Sequence, residues 1–492
     1  MNLAIRRLSV LALSMFLVLM LAATWIQFAQ ADSLNGDARN RRTLYREYGT
    51  FRGPIVVDGQ AVAYSVPVDD PYNYQRTYVD GPLYAPVTGF YSATYGRTGI
   101  EQSENSLLNG TADSLFWSRL GDLMSGKKQQ GASVELTIRA SLQQVAADAL
   151  GDQRGAVVAL DPRTGEILAM VSSPSYDPAV LGAHDSSAVP DAYRKLDDDP
   201  ASPLINRAIA GDTYPPGSLF KLVTTAAALQ AGYTPDSPVY APTSLALPLT
   251  DSTVQNYGGH ACDTTDTTTL AFALKKSCNT PFANLGMELG WAAIAKKAQE
   301  FGWGDALTIP LPVTPSRLPT NPDAPETAIS AIGQFDVRAT PLQMAMIGEA
   351  IANDGVLMRP YLVARARDSS LRVLETTQPS VYSVPLSPED AGYLRDMMVG
   401  VVESGTGTAA QISGVSVAGK TGTAETGSGG APDAWFLGFA PADNPVVVVV
   451  VLVENGGDIG DEATGGKVAA PIARAVIQEA LLLEAARKEA TP

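Results

Sequence analysis

Ser218 and Lys221 are the residues of this 492-residue sequence best suited to nucleophilic chemistry. They stand in TYPPGSLFKLVTTAAALQAG, where Pro215-Pro216-Gly217 forms a rigid turn that cannot lie inside a helix. The apolar run behind it predicts a helix over 218–231 with Ser218 at its N-terminus. Free N–H groups and the helix dipole favour an alkoxide or oxyanion there. Lys221, three residues on, shares the serine's face and is within side-chain reach. A partly desolvated lysine loses its proton more readily and can act as the serine's base. The spacing alone carries little. Ser125-Gly126-Lys127-Lys128 repeats it in a polar linker with no apolar helix behind it, and reads as a solvated loop.

Two further clusters could face that serine. Ser277-Cys278-Asn279 follows LAFALKK; its hydroxyl could relay a proton and its amide could hold a peptide group. An ordinary cap or turn fits the same residues, and Ser33-Leu34-Asn35 and Ser103-Glu104-Asn105 share the spacing without evident meaning. SVAGKTGTAE contains the sequence's single Lys-Thr-Gly. On a regular strand Lys420 and Gly422 lie on one face, Thr421 and Thr423 on the other. Lys420 offers charge to a carboxylate, and Gly422 removes a side chain where a ligand could approach the strand edge. A strand-edge lysine beside a turn is the plain alternative.

The elements that must position these residues can be read around them. GAVVALDP, a turn at Arg163-Thr164-Gly165, and EILAMVSS predict an antiparallel hairpin. Val134–Ile138 predicts a short strand and Ser141–Leu150 a helix. Apolar helices are expected over 268–289 and near 340–353. Strands are expected over 414–424, 434–440 and 446–453, and a closing helix over Gly465–Leu483. Strands at both ends with helices between predict an α+β domain, one antiparallel sheet packed by helices. Upstream, GPIVVDGQAVAYSV predicts a hairpin turning at Asp58-Gly59. Nine tyrosines between Tyr45 and Tyr95 read as strand packing. The expected division is a tail at 1–7, a transmembrane anchor at 8–28, an N-terminal module at 32–130, a connecting strand and helix at 131–154, the catalytic domain at 155–484 and a C-terminal tail at 485–492.

Composition narrows the chemistry. The net charge of −16 repels nucleic-acid phosphates, so no nucleic-acid partner is expected. The two histidines, His184 and His260, stand in no motif, which argues against a zinc site and against a histidine base. No metal and no cofactor is called for. Cys262 and Cys278 lack metal-site spacing and are either buried thiols or a disulfide, which would require an extracytoplasmic setting. Residues 8–28 carry no charge and suffice to span a bilayer. Arg6 and Arg7 before them favour a cytoplasmic N-terminus, while Arg39, Arg41, Arg42 and Arg46 beyond them weaken that bias. Ala29-Gln30-Ala31 resembles a signal-peptidase site, but the long apolar run favours an uncleaved anchor.

Serine-lysine, serine-asparagine and lysine-threonine-glycine, in this order, form the signature of serine β-lactamases and penicillin-binding proteins. The chain resembles a class B penicillin-binding protein over nearly its whole length. GAVVALDPRTGEILAMVSSPSYDP, TYPPGSLFK, NYGG followed by SCNT, AIGQFDVRATPLQMA, ESGTGTAA and AGKTGTAE are similar to successive blocks of the family's transpeptidase domain. RGPI at 52–55 and GFYS…GIE at 89–101 are similar to its N-terminal pedestal. The compact form is similar to the short PbpA-type members of actinobacteria.

The resemblance implies a peptidoglycan D,D-transpeptidase. Ser218 would attack the D-Ala-D-Ala carbonyl of a stem peptide, Lys221 would deprotonate it, Ser277 would relay protons and Asn279 would hold the peptide. Lys420, Thr421 and Thr423 would bind the substrate carboxylate, and the backbone N–H groups of Ser218 and Thr423 would form the oxyanion hole. β-Lactams would acylate the same serine. Only about 125 residues separate the anchor from the transpeptidase domain, too few for a glycosyltransferase domain plus linker. Glycan polymerisation would then fall to a partner of the SEDS type in the membrane. Two alternatives remain at this point. One is a D,D-carboxypeptidase or β-lactamase-type hydrolase, against which stands the lack of a Glu-x-x-Leu-Asn motif. The other is a non-enzymatic β-lactam sensor, for which the short N-terminal tail offers little signalling apparatus.

Overall fold

A computed structural model of the chain describes residues 3–30, 45, 47–126, 130–185, 187–425 and 430–490. Ser33-Leu34-Asn35, Ala31, the arginines at 39, 41, 42 and 46, and Lys127-Lys128 lie outside the described residues. Helix α1 (Leu3–Phe28) begins before the expected 8–28 span and buries none of its side chains. Its most apolar 18 residues have a mean hydropathy of 2.3, long and apolar enough to cross a membrane.

The N-terminal module is built on strands β1 (Ile55–Val57), β2 (Gln60–Pro67) and β3 (Tyr74–Tyr78). Asp58-Gly59 makes the β1–β2 turn as the pattern predicts, with both residues at positive φ. The tyrosines pack with one another and with the strands, as in the Tyr48–Tyr91 pair with ring centroids 4.4 Å apart. The two family-like blocks meet inside this module. Glu101 accepts from Arg52 Nε at 2.5 Å and Arg76 Nε at 2.7 Å, all three side chains being buried. The guanidiniums outweigh the desolvation of Glu101, holding it ionised below the usual carboxylate range. Helix α2 (Phe116–Ser125) follows.

The sheet of this module crosses the expected domain boundaries. β4 (Ser133–Leu136), assigned from sequence to a connector, pairs parallel with β1, and helix α3 (Ala140–Leu150) leads on from it. The Asp58 carboxylate accepts from Ala140 N at 2.6 Å, tying the hairpin tip to the start of α3. A hairpin from far downstream completes the sheet, in the order β9-β8-β4-β1-β2-β3 (β8 and β9 below). The 155–484 segment therefore lends two strands to the module before it.

The catalytic half opens with β5 (Gly155–Leu160) and β6 (Ile167–Ser173), the expected hairpin. A short 3-10 turn (Gly217–Leu219) runs into helix α4 (Lys221–Gln230), with Phe220 between them still helical. Strand β7 (Thr253–Gln255) comes next. The helix expected over 268–289 is two helices, α5 (Leu270–Lys276) and α6 (Thr280–Leu289). Ser277 takes the left-handed conformation that ends α5, and Pro281 sits in the first turn of α6, where its missing N–H does no harm. Helix α7 (Pro341–Ala352) is buried along its whole length. β8 (Val363–Arg367) and β9 (Val373–Thr376) are the hairpin lent to the first sheet.

The last strands are β10 (Ala418–Ala424), β11 (Asp433–Ala440) and β12 (Val447–Val453). β10 is shorter than the expected 414–424 because Ile412–Val415 closes on itself as a turn. Helix α8 (Ala469–Ala490) starts later than expected and continues through most of the supposed 485–492 tail. These strands and the first hairpin form a five-stranded antiparallel sheet, β10-β11-β12-β5-β6. Every residue of β12 is buried, which explains its continuous valines. Val448, Val450 and Leu452 join the core under α4–α7; Val447, Val449 and Val451 join the core under α3 and α8.

Candidate active site

The turn that carries Ser218 is held from three sides. Gly217 N donates to Gly333 O at 3.0 Å, and Trp435 Nε1 donates to Pro215 O at 3.1 Å. Tyr214 OH donates to Glu454 Oε1 at 2.7 Å, and the same oxygen accepts from Arg207 Nε at 2.8 Å. Gly333 is required by space, since a Cβ there would stand 2.0 Å from Gly217 O. Leu219 and Phe220 point into the core, so Ser218 is left half-buried in the first turn.

β10 is the edge strand of the sheet and lies against this turn. A Cβ on Gly422 would meet Pro216 O at 3.0 Å and Trp435 Cβ at 2.9 Å. The expectation that Gly422 leaves room for a ligand is therefore corrected: the space is filled by the turn that carries Ser218. The two faces of β10 divide as alternation predicts. Lys420 points toward Ser277, whereas Thr421 Oγ1 pairs with Thr406 Oγ1 at 2.6 Å on the other side. Thr423 is half-buried, and its Oγ1 accepts from Gly465 N at 3.5 Å.

The serine-asparagine loop joins the two lysines. Lys221 Nζ donates to Ser277 O and to Asn279 Oδ1, both at 2.8 Å. Lys420 Nζ donates to Ser277 Oγ at 2.7 Å and to Thr421 O at 2.8 Å. Both lysines are fully buried. Desolvation, reinforced by the charge of Lys420, pushes Lys221 well below the usual lysine range; desolvation brings Lys420 down to about 7. Of the two, Lys221 is the one whose proton is weakened both by burial and by its neighbour's charge.

Sequence reasoning missed Asn256, the residue that fixes this loop. It follows β7, is buried, and its Oδ1 accepts from Asn279 N at 2.7 Å and Thr280 N at 3.1 Å. It thereby caps α6 from outside the helix. Gln255 O accepts from Asn279 Nδ2 at 2.9 Å. The NYGG block contained the signal, an asparagine directly after a short strand. Thr406, Tyr214 and Glu454 were also missed, because their partners are distant in sequence. Cys278, the middle residue of the loop, is disulfide-bonded to Cys262.

Other sequence candidates lie elsewhere. Ser125 ends helix α2 rather than sitting in a loop, and is exposed, with its hydroxyl on Gly121 O. Ser103 is exposed and donates to Gly99 O. His184 pairs with Asp70 beside the N-terminal module, and His260 is exposed. Among the described residues no cluster of His, Cys, Asp and Glu could hold a metal ion.

This geometry agrees with comparisons to known proteins. Residues 155–478 match the model of the penicillin binding protein transpeptidase domain. The chain belongs to the penicillin-binding protein transpeptidase family. Residues 52–134 match the penicillin binding protein A dimerisation domain. The peptidoglycan D,D-transpeptidase PbpA of Mycolicibacterium smegmatis is 46% identical over 490 residues, 98% of this chain and 99% of the relative. The transpeptidase MrdA of Escherichia coli is 30% identical, over 75% of this chain and 63% of the relative. Penicillin-binding protein A of Mycobacterium tuberculosis, solved as a ceftriaxone acyl-enzyme complex, superposes with a TM-score of 0.86 at 45% identity. That match covers 89% of this chain and 100% of the solved one. The transpeptidase is a class B member of the PbpA type, a serine-type peptidoglycan D,D-transpeptidase.

Proposed function

We propose that Ser218 is the acylated serine of this transpeptidase and that neutral Lys221 is its base. The observation that carries this reading is the pair of 2.8 Å hydrogen bonds from Lys221 Nζ to Ser277 O and Asn279 Oδ1. A neutral amine has two N–H donors and one lone pair. With both donors engaged by those oxygens, the lone pair remains for the Ser218 proton.

The reaction follows in two halves. Ser218 Oγ bonds to the carbonyl carbon of the penultimate D-alanine as its proton passes to Lys221. The oxyanion is stabilised by the N–H groups of Ser218 and Thr423, donors typically worth about 3 kcal/mol each. The C–N bond to the terminal D-alanine breaks, and Ser277 Oγ relays the proton to the departing amine. An amine of a neighbouring stem peptide then attacks the ester, its proton returns to Ser218 by the same route, and the cross-link forms. Lys420, Thr421 and Thr423 hold the substrate carboxylate, and Asn279 holds the peptide. The buried position of Lys420 supports that role, because a carboxylate brought beside it meets little competing water.

α1 anchors the enzyme with its N-terminus in the cytoplasm and the catalytic half outside the membrane. A SEDS-type glycosyltransferase beside the anchor supplies glycan. The working division is anchor, pedestal at 32–130 with β4, β8 and β9 added to its sheet, and transpeptidase domain from 155 onward. Mass spectrometry of the full chain incubated with a pentapeptide stem donor and an acceptor amine tests the reaction. Cross-linked product with loss of one D-alanine, absent in Ser218→Ala, is expected. A tetrapeptide acid as the sole product would make the chain a carboxypeptidase.

A further inference from the structure

Helix α2 is amphipathic with its faces reversed. At 100° per residue, Phe116, Trp117, Leu120, Leu123 and Met124 fall within a stripe about 120° wide. Ser118 lies opposite that stripe, and Ser118 is what faces the protein. Its Oγ donates to Asp368 Oδ2 at 3.2 Å and accepts from Arg372 Nη2 at 3.0 Å, in the turn between β8 and β9. The apolar stripe therefore faces outward: Trp117 is 72% exposed, Leu123 78% and Met124 83%. Leu371, in the turn on which α2 docks, is 71% exposed and extends the patch. Arg119 flanks the stripe on the helix, while Arg372, ion-paired with Asp368 at 3.1 Å and bonded to Ser118, lies on the docking side.

The topology says where this patch sits. β1 runs toward the catalytic half, since Asp58 at its far end caps α3. The opposite pole is where the chain arrives from α1, with Phe51 bridged to Gln130 just after α2. Arg367, opposite Ser133 at the start of β4, puts the β8–β9 turn at that same pole. An outward apolar stripe with a tryptophan and a flanking arginine thus lies at the end of the pedestal where the chain enters from the anchor.

We infer that the apolar face of α2 rests in the interfacial layer of the bilayer that α1 crosses, as a second contact fixing the pedestal's orientation. Tryptophan and phenylalanine suit the headgroup boundary, and Arg119 beside them can reach the phosphates. A tether alone would leave the pedestal free to tilt. The inference rests on α1 being a membrane anchor, and the test separates the two claims.

Single cysteines, Met124→Cys, Leu13→Cys in α1 and Leu482→Cys on α8, are spin-labelled in the full chain. The chain is reconstituted into phosphatidylethanolamine–phosphatidylglycerol nanodiscs, and relaxation by oxygen is compared with relaxation by a water-soluble nickel complex. Leu482 is an equally apolar control, 66% exposed on the catalytic half. Penicillin labelling of each variant verifies folding. The expected oxygen-to-nickel ratio at 124 is several-fold above that at 482 and approaches that at 13. A ratio at 124 equal to that at 482, with 13 lipid-like, overturns the inference and leaves the anchor standing. A water-like ratio at 13 overturns the anchor itself. Protection of 124 from both reagents would instead mean that protein, such as a second copy, covers the stripe, and would also overturn the inference.

Discussion

Burial, reinforced by the charge of Lys420, weakens the hold of Lys221 on its proton, which suits the proposed role as base. Replacing it with methionine should keep the packing and lower the rate of acylation by penicillin by about 10²- to 10⁴-fold, the range for loss of a general base. In the parent enzyme the acylation rate should fall as pH drops through the depressed pKa of Lys221; in Lys221→Met that acid limb should vanish. Lys420 gives a separate signature in stability. Its folded-state pKa of about 7 lies below the unfolded value near 10.4, so the unfolded chain binds more protons between those limits. Stability should therefore rise with pH from about 7 to about 10. Melting curves of Lys420→Met should show that slope reduced; an unchanged slope would mean that Lys420 is charged in the fold.

At the level of elements, the site is three segments held by atoms outside the motifs. Asn256 is the clearest case, with one amide oxygen accepting from both Asn279 N and Thr280 N. Asn256→Ala leaves those buried donors without an acceptor, which should cost about 1–3 kcal/mol in stability. Because the same bonds aim Ser277 and Asn279, the acylation rate should fall as well, read by stopped-flow alongside thermal melting. The contrast shows what the sequence could reveal. Ser218 after Pro215-Pro216-Gly217, the hairpin around Arg163–Gly165 and the valines of β12 were legible because turn chemistry and burial act locally. The break at Ser277 was missed although Pro281 announced it, because the apolar pattern runs through on both sides. NYGG marked Asn256 only as an asparagine after a short strand, and neither its role nor those of Thr406 and Glu454 could be read, since each meets its partner only after the chain has folded. Gly422 was read for the right reason, close approach, but what approaches is the turn that carries Ser218.

Over the whole molecule, the two halves share strands. β8 and β9 leave the catalytic half to complete the pedestal sheet, and Asp58 reaches back to cap α3. Pedestal and catalytic domain are thus joined by backbone pairing, and motion at one is resisted by the other. The same fold decides between two identical spacings. Ser125 lies exposed at the end of a surface helix, while Ser218 lies where β10, the Ser277 loop and the buried lysines converge. The central claim is tested most directly by gel labelling with a fluorescent penicillin. The account predicts a long-lived adduct on the parent chain and on Ser125→Ala, and none on Ser218→Ala. Labelling that survives in Ser218→Ala, or is lost in Ser125→Ala, would contradict it.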